Sequence, residues 1–176
     1  MNVYDSELVA GILEKENYQR AETIETADMV FLNTCSVREH AEDKVNARLD
    51  ALNALKRKHK GAIIGVLGCM AQNLKDSLLE TKPYVDIILG PDSYRRLPEL
   101  INQRAQKMNH LVDTKLSKME LYEGLFPANR EGINAWISIT RGCDKFCTFC
   151  IVPFTRGRER SRTIENIMTE AELVVN

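Results

Sequence analysis

Apolar and polar positions change their spacing several times along the chain, and each change marks an element. In DSELVAGILEKENY, Leu8, Val9, Ile12 and Leu13 share one helical face, which predicts a helix over 5–18 with Asp5 or Ser6 as its N-cap. MVFLNT (29–34) is instead a short unbroken apolar run closed by polar residues, the pattern of a buried strand, and Cys35 follows at once. Val37, Ala41, Val45, Leu49, Leu52 and Leu55 then recur at three- and four-residue steps, so 36–59 is predicted as a long amphipathic helix ending in cations and Gly61. AIIGVL (62–67) and VDIILG (85–90) are two more apolar runs of strand length, the first ending at Gly68 and Cys69. Short helices are predicted over 72–81 and 93–107. Residues 108–132 show no firm period and contain Gly124 and Pro127, so they read as a linker or loose hairpin. INAWISI (133–139) is strand-like, and RTIENIMTEAELVVN (162–176) returns to helical spacing through Ile164, Ile167, Met168, Ala171 and Val175.

Strands alternating with helices imply parallel pairing and an α/β layer fold. Such strands point one way, so the residues just beyond them emerge at one common edge, where these folds place ligands. Cys35 and Cys69 both occupy that position. The expected organisation is a first domain over 1–107, a linker over 108–132, and a second segment over 133–176. That second segment offers one strand, one loop and one helix, too little to bury its own apolar faces, so it reads as the start of a larger unit and the chain as a fragment.

Composition narrows the class. With 176 residues, 44% hydrophobic and 28% charged, this is an ordinary globular chain, and a net charge of −1 excludes a uniformly basic, phosphate-binding body. Nucleic-acid contact would have to come from local patches: KRKHK (56–60), best read as cations at a helix end, and RGRERSR (156–162). No apolar run reaches membrane-helix length and no secretory signal is evident, which makes the cytoplasm the expected compartment.

The candidate chemistry lies in TRGCDKFCTFCIVP (140–153). Cys143, Cys147 and Cys150 fall within eight positions with no fourth cysteine nearby. Zinc usually closes with four ligands, and His40, His59 and His110 are all distant in sequence. A [4Fe–4S] cluster takes one thiolate per iron, so three cysteines leave one iron open to a small chelating cofactor; S-adenosylmethionine supports radical chemistry when coupled to such centres.

The spacing in CDKFCTFC resembles the signature of the radical S-adenosylmethionine enzymes. Together with NVYDSE (2–7), NTCSVRE (33–39), GCMAQ (68–72), GPDSYRRLPELI (90–101) and RGCDKFCTFCIVPFTRGRERSR (141–162), it resembles the methylthiotransferase family over almost the whole chain. That resemblance implies a flavodoxin-like parallel-sheet domain lacking its first strand, joined to the first strand, loop and helix of a radical barrel. It implies two [4Fe–4S] clusters: one on Cys143, Cys147 and Cys150, and a second for which Cys35 and Cys69 supply two of three cysteines, the third belonging to a segment not present here. Phe149 would pack near the adenine of S-adenosylmethionine. The implied reaction adds a methylthio group to carbon 2 of an isopentenylated adenosine beside a tRNA anticodon, with tRNA and an electron donor as partners. Because most of a barrel of on the order of 200 residues is missing, the chain alone is expected to be inactive.

Arg156, Arg158, Arg160 and Arg162 alternate, so in an extended loop they would share a face suited to phosphates; the opposing reading is a set of ion pairs that orders the cysteine loop. Two rival functions stay open: a methylthiotransferase acting on threonylcarbamoyladenosine or on a ribosomal protein, and a non-catalytic module whose cysteines hold zinc or an iron–sulfur centre.

Overall fold

A computed structural model describes residues 2–36, 39–106, 110–128 and 134–175. Val37, the boundary residues 129–132 and the expected strand start at Ile133 lie outside these. Helix α1 (Asn2–Lys15) leads into strand β1 (Met29–Thr34), helix α2 (Glu39–Lys58) and strand β2 (Ile63–Gly68). Two short helices follow, α3 (Cys69–Leu74) and α4 (Ser77–Thr81), then β3 (Ile87–Leu89), α5 (Leu97–Ala105) and β4 (Leu111–Asp113). The last segment contains β5 (Thr140–Arg141), α6 (Val152–Arg156), β6 (Arg160–Ser161) and α7 (Ile164–Val175).

The first four strands form one parallel sheet in the order β1-β2-β3-β4. Side chains alternate across a strand, so each apolar run feeds two cores. Leu67, Ile87 and Leu89 face one layer, packed with Tyr4, Leu8, Val9 and Ile12 of α1 and Leu97, Leu100 and Ile101 of α5. Ile64, Val66 and Ile88 face the other, against Leu49 and Leu52 of α2, Met70 and Ala71 of α3, and Leu78 of α4. No helix among the described residues is long and apolar enough to cross a membrane.

Four expectations are corrected. The helix expected over 72–81 is two helices, broken where Lys75 adopts a left-handed φ of 49°. Asp5 is not an N-cap: α1 begins at Asn2 and the Asp5 carboxylate lies wholly buried in its first turn. The stretch expected to be a linker contributes β4, which pairs with the open edge of β3, and Tyr122, which is buried in the first core beside Tyr94. Residues 134–139 form no strand; only Thr140–Arg141 pairs, antiparallel to β6. A strand needs a neighbour for its backbone groups, and β6 offers just two residues.

Candidate functional site: two cysteine positions joined by buried arginines

The sheet register fixes the first position. Thr34 pairs with Gly68, so Cys35 and Cys69 each stand one residue beyond the same rung, at the shared edge. Thr34 Oγ1 donates to the Leu67 carbonyl at 2.6 Å and ties the two strand ends together. Gly68 has φ 92°, and a Cβ there would lie 2.6 Å from both Asn33 Oδ1 and the Thr34 carbonyl, so only glycine lets α3 start this close to β1. Cys69, first residue of α3, is buried, whereas Cys35 is half-buried.

The second position is the loop between β5 and α6. Gly142 (φ 76°) turns the chain out of β5, Cys143 N–H donates to the Gly157 carbonyl at 3.2 Å, and Cys150 N–H donates to the Cys147 carbonyl at 3.0 Å. Asp144 accepts from Arg158 Nε at 2.7 Å and from the Glu159 backbone N–H at 2.9 Å, closing the loop from outside. Cys147 is exposed, Cys143 and Cys150 are half-buried, and all five cysteines are free thiols. Phe149 is 92% exposed.

The arginines do not share a solvent face. Arg156 Nη2 donates to Asp5 Oδ2 at 2.7 Å and its Nε to Cys69 Sγ at 3.2 Å. Arg160 forks onto Asp92 at 2.9 and 3.1 Å. Arg162 pairs with Glu170 and donates to the Ser138 carbonyl at 2.9 Å. These three are buried; Arg158 alone of the four is exposed. In an irregular loop the alternation that would align them is lost: Asp5 and Asp92 of the first domain draw Arg156 and Arg160 inward, and Glu170 of α7 holds Arg162. Arg141 joins them, with Nη1 on Asp5 Oδ1 at 3.1 Å, Nη2 on the Pro91 carbonyl at 2.9 Å, and its guanidinium 4.9 Å from the Tyr122 ring centroid. Burial disfavours the charge of Arg156, but Asp5 and the Cys69 sulfur outweigh it and hold that guanidinium above its usual value. Burial also pushes the Glu170 carboxyl up, against the opposing pull of Arg162.

Sequence reasoning missed Asp5, Asp92 and Arg141 as parts of this joint. Their only signal was composition, since a cluster of arginines beside an apolar segment must find acids somewhere. In KRKHK, Lys56 is engaged with Asp86 and donates to the Tyr84 carbonyl at 2.8 Å, in keeping with a structural helix end.

The family-implied iron–sulfur centres can be tested against these side chains. Three free, solvent-reachable thiols on a loop anchored at both ends suit soft iron in donor chemistry. Among the described residues no three His, Cys, Asp or Glu side chains converge as a metal centre requires, so the loop thiols would have to turn inward on binding.

Fold and site together define a parallel α/β domain with cysteines at its strand-end edge, locked to a three-cysteine loop. The profile described as Uncharacterized protein family UPF0004 matches residues 1–90, and the chain belongs to that family. Among curated proteins, the chain is 50% identical over 172 residues to the tRNA-2-methylthio-N(6)-dimethylallyladenosine synthase of Christiangramia forsetii, covering 97% of this chain and 36% of that protein. The synthase of the same name from Bacteroides thetaiotaomicron is 49% identical, covering 99% of this chain and 38% of its own length. That from Flavobacterium johnsoniae is 47% identical, with 98% and 36% covered. The chain thus spans just over a third of the length of these relatives.

Proposed function

We propose that this chain is the amino-proximal part of a tRNA methylthiotransferase that adds a methylthio group to carbon 2 of a dimethylallylated (isopentenylated) adenosine. The observation that carries the reading is the meeting of its two cysteine positions: Arg156, on the helix that follows the three-cysteine loop, bonds to Cys69 of the first domain. The names of its relatives supply the substrate class. In this reading Cys143, Cys147 and Cys150 hold one [4Fe–4S] cluster, and Cys35 and Cys69 contribute to a second. Bound there, the clusters and S-adenosylmethionine would supply the radical chemistry.

The chain's own residues do the positioning. Gly142, the Asp144–Arg158 pair and α6 fix both ends of the cysteine loop. Phe149 offers a free aromatic face beside Cys150 for a nucleoside. Of the four alternating arginines, Arg158 is the exposed one, and in this reading it would meet a tRNA phosphate after releasing Asp144. Gly68 and the Thr34–Leu67 bond keep Cys35 and Cys69 on one rung.

The test is anaerobic loading of the full-length protein with iron and sulfide, followed by assay on two tRNAs, one carrying dimethylallyladenosine and one threonylcarbamoyladenosine. A methylthio product from the first alone is expected, and replacing Cys143, Cys147 and Cys150 by alanine should remove about half of the iron, one cluster of two. Product from the second tRNA alone would reassign the substrate. A colourless protein that binds zinc tightly would favour the non-catalytic module instead.

A further inference from the structure

The joint between the two cysteine positions carries an unbalanced charge. Asp5 is wholly buried and both its oxygens are engaged, Oδ1 by Arg141 and Oδ2 by Arg156. One carboxylate between two buried guanidiniums leaves one positive charge unmatched. Arginine cannot relieve this by losing its proton. The phenols nearest the cluster do not supply the missing anion: Tyr122 donates its O–H to the Pro91 carbonyl at 2.8 Å, and burial pushes the Tyr94 phenol well above its usual range.

Arg156 itself points to what is missing. It is 6% exposed, its Nε donates to Cys69 Sγ at 3.2 Å, and its Nη1 is buried with no hydrogen-bond partner among the described residues. A buried guanidinium with excess charge and a spare donor beside a sulfur is costly unless that sulfur belongs to an anionic centre. Hydrogen bonds to cluster sulfurs and nearby charge are among the levers by which proteins set a cluster's reduction potential.

We propose that Arg156 is a positioning residue for the cluster at Cys69: reaching over from the segment that bears the three-cysteine loop, it orients that sulfur, donates an N–H to it and supplies the positive charge that eases reduction of the centre. Asp5 acts one step further out, aiming Arg156 and tempering its charge. The inference rests on the proposed reading of Cys69 as a cluster ligand, and it makes α6 the physical link between the two centres, since α6 packs on α3 directly.

The experiment uses the full-length holoprotein with Cys143, Cys147 and Cys150 replaced by alanine, so that only the cluster at the sheet edge remains. Its iron content and midpoint potential are measured alongside those of the R156Q, R156K and D5N forms. R156Q should keep its iron but shift to a more negative potential, and R156K, which preserves the charge, should recover most of that shift. D5N removes a negative charge without changing shape and should move the potential the opposite way, a sign that a merely structural clamp does not produce. An R156Q protein with full iron and the parent's potential overturns the proposal. If R156Q does not fold, D5N decides, and no shift there overturns it equally. A parent protein that holds no iron once the loop cysteines are gone removes Cys69 as a ligand, and the inference falls with that reading.

Discussion

Two single residues show how much of the site is backbone and desolvation. Gly142 stands immediately before Cys143 with φ 76°, and a Cβ there would run into the Arg158 carbonyl and lie 2.6 Å from that of Gly157. Both the left-handed backbone and the contact penalise a side chain, so G142A should cost about 1–3 kcal/mol, read as a lower urea midpoint. An unchanged midpoint would mean that the loop relaxes around the added methyl. Tyr94 is the opposite case. Its ring is wholly buried against Tyr122, with centroids 5.7 Å apart, while its hydroxyl finds no partner among the described residues. Removing an unsatisfied buried hydroxyl relieves its desolvation, so Y94F should raise stability by about 1 kcal/mol.

At the scale of elements, the ladder of β5 and β6 is only two residues long, and so small a pairing does not stand alone. Its arginines tie it down. Arg160 of β6 reaches Asp92 in the turn after β3, and Arg162 just past β6 reaches Glu170 of α7 and the Ser138 carbonyl. Removing one partner of a buried pair strands the other charge, so R160A should cost about 3–5 kcal/mol and speed alkylation of Cys143, Cys147 and Cys150. R158A, at the exposed pair with Asp144, should leave the melting temperature unchanged. Equal effects from the two substitutions would show that the loop is not held from within.

For the molecule as a whole, the buried phenols at the junction set an alkaline limit. Burial, reinforced by Glu170, pushes Tyr4 up to about 12, and burial likewise raises Tyr94 and Tyr122. A phenol that holds its proton more tightly when folded stabilises fully below its unfolded pKa of about 10, and that contribution is lost as pH climbs through the folded value. Stability should therefore fall between about pH 10 and 12, and Y4F should flatten part of the slope; urea midpoints at two pH values either side of 10 check this. The same junction separates what the chain declares from what it conceals. Strands β1 to β3 and the long helix α2 were legible because each is a long enough apolar run or a sustained helical period, whereas the break at Lys75 that splits the next helix in two was not. Cys35 and Cys69 were legible as edge residues because parallel strands share a direction. β4 was not, since LVD is too short to signal and becomes a strand only where β3 leaves an edge open. Nor were the arginines' fates: Arg156 and Arg160 find their acids 151 and 68 positions away, and the same alternating pattern would serve a phosphate-facing loop. By itself the sequence determined the longer elements, the strand-end edge and the thiols, because spacing and residue chemistry are local properties. Only the tertiary structure decided which charges are buried together and that Arg156 meets Cys69, because burial and pairing depend on segments brought into contact from distant parts of the chain.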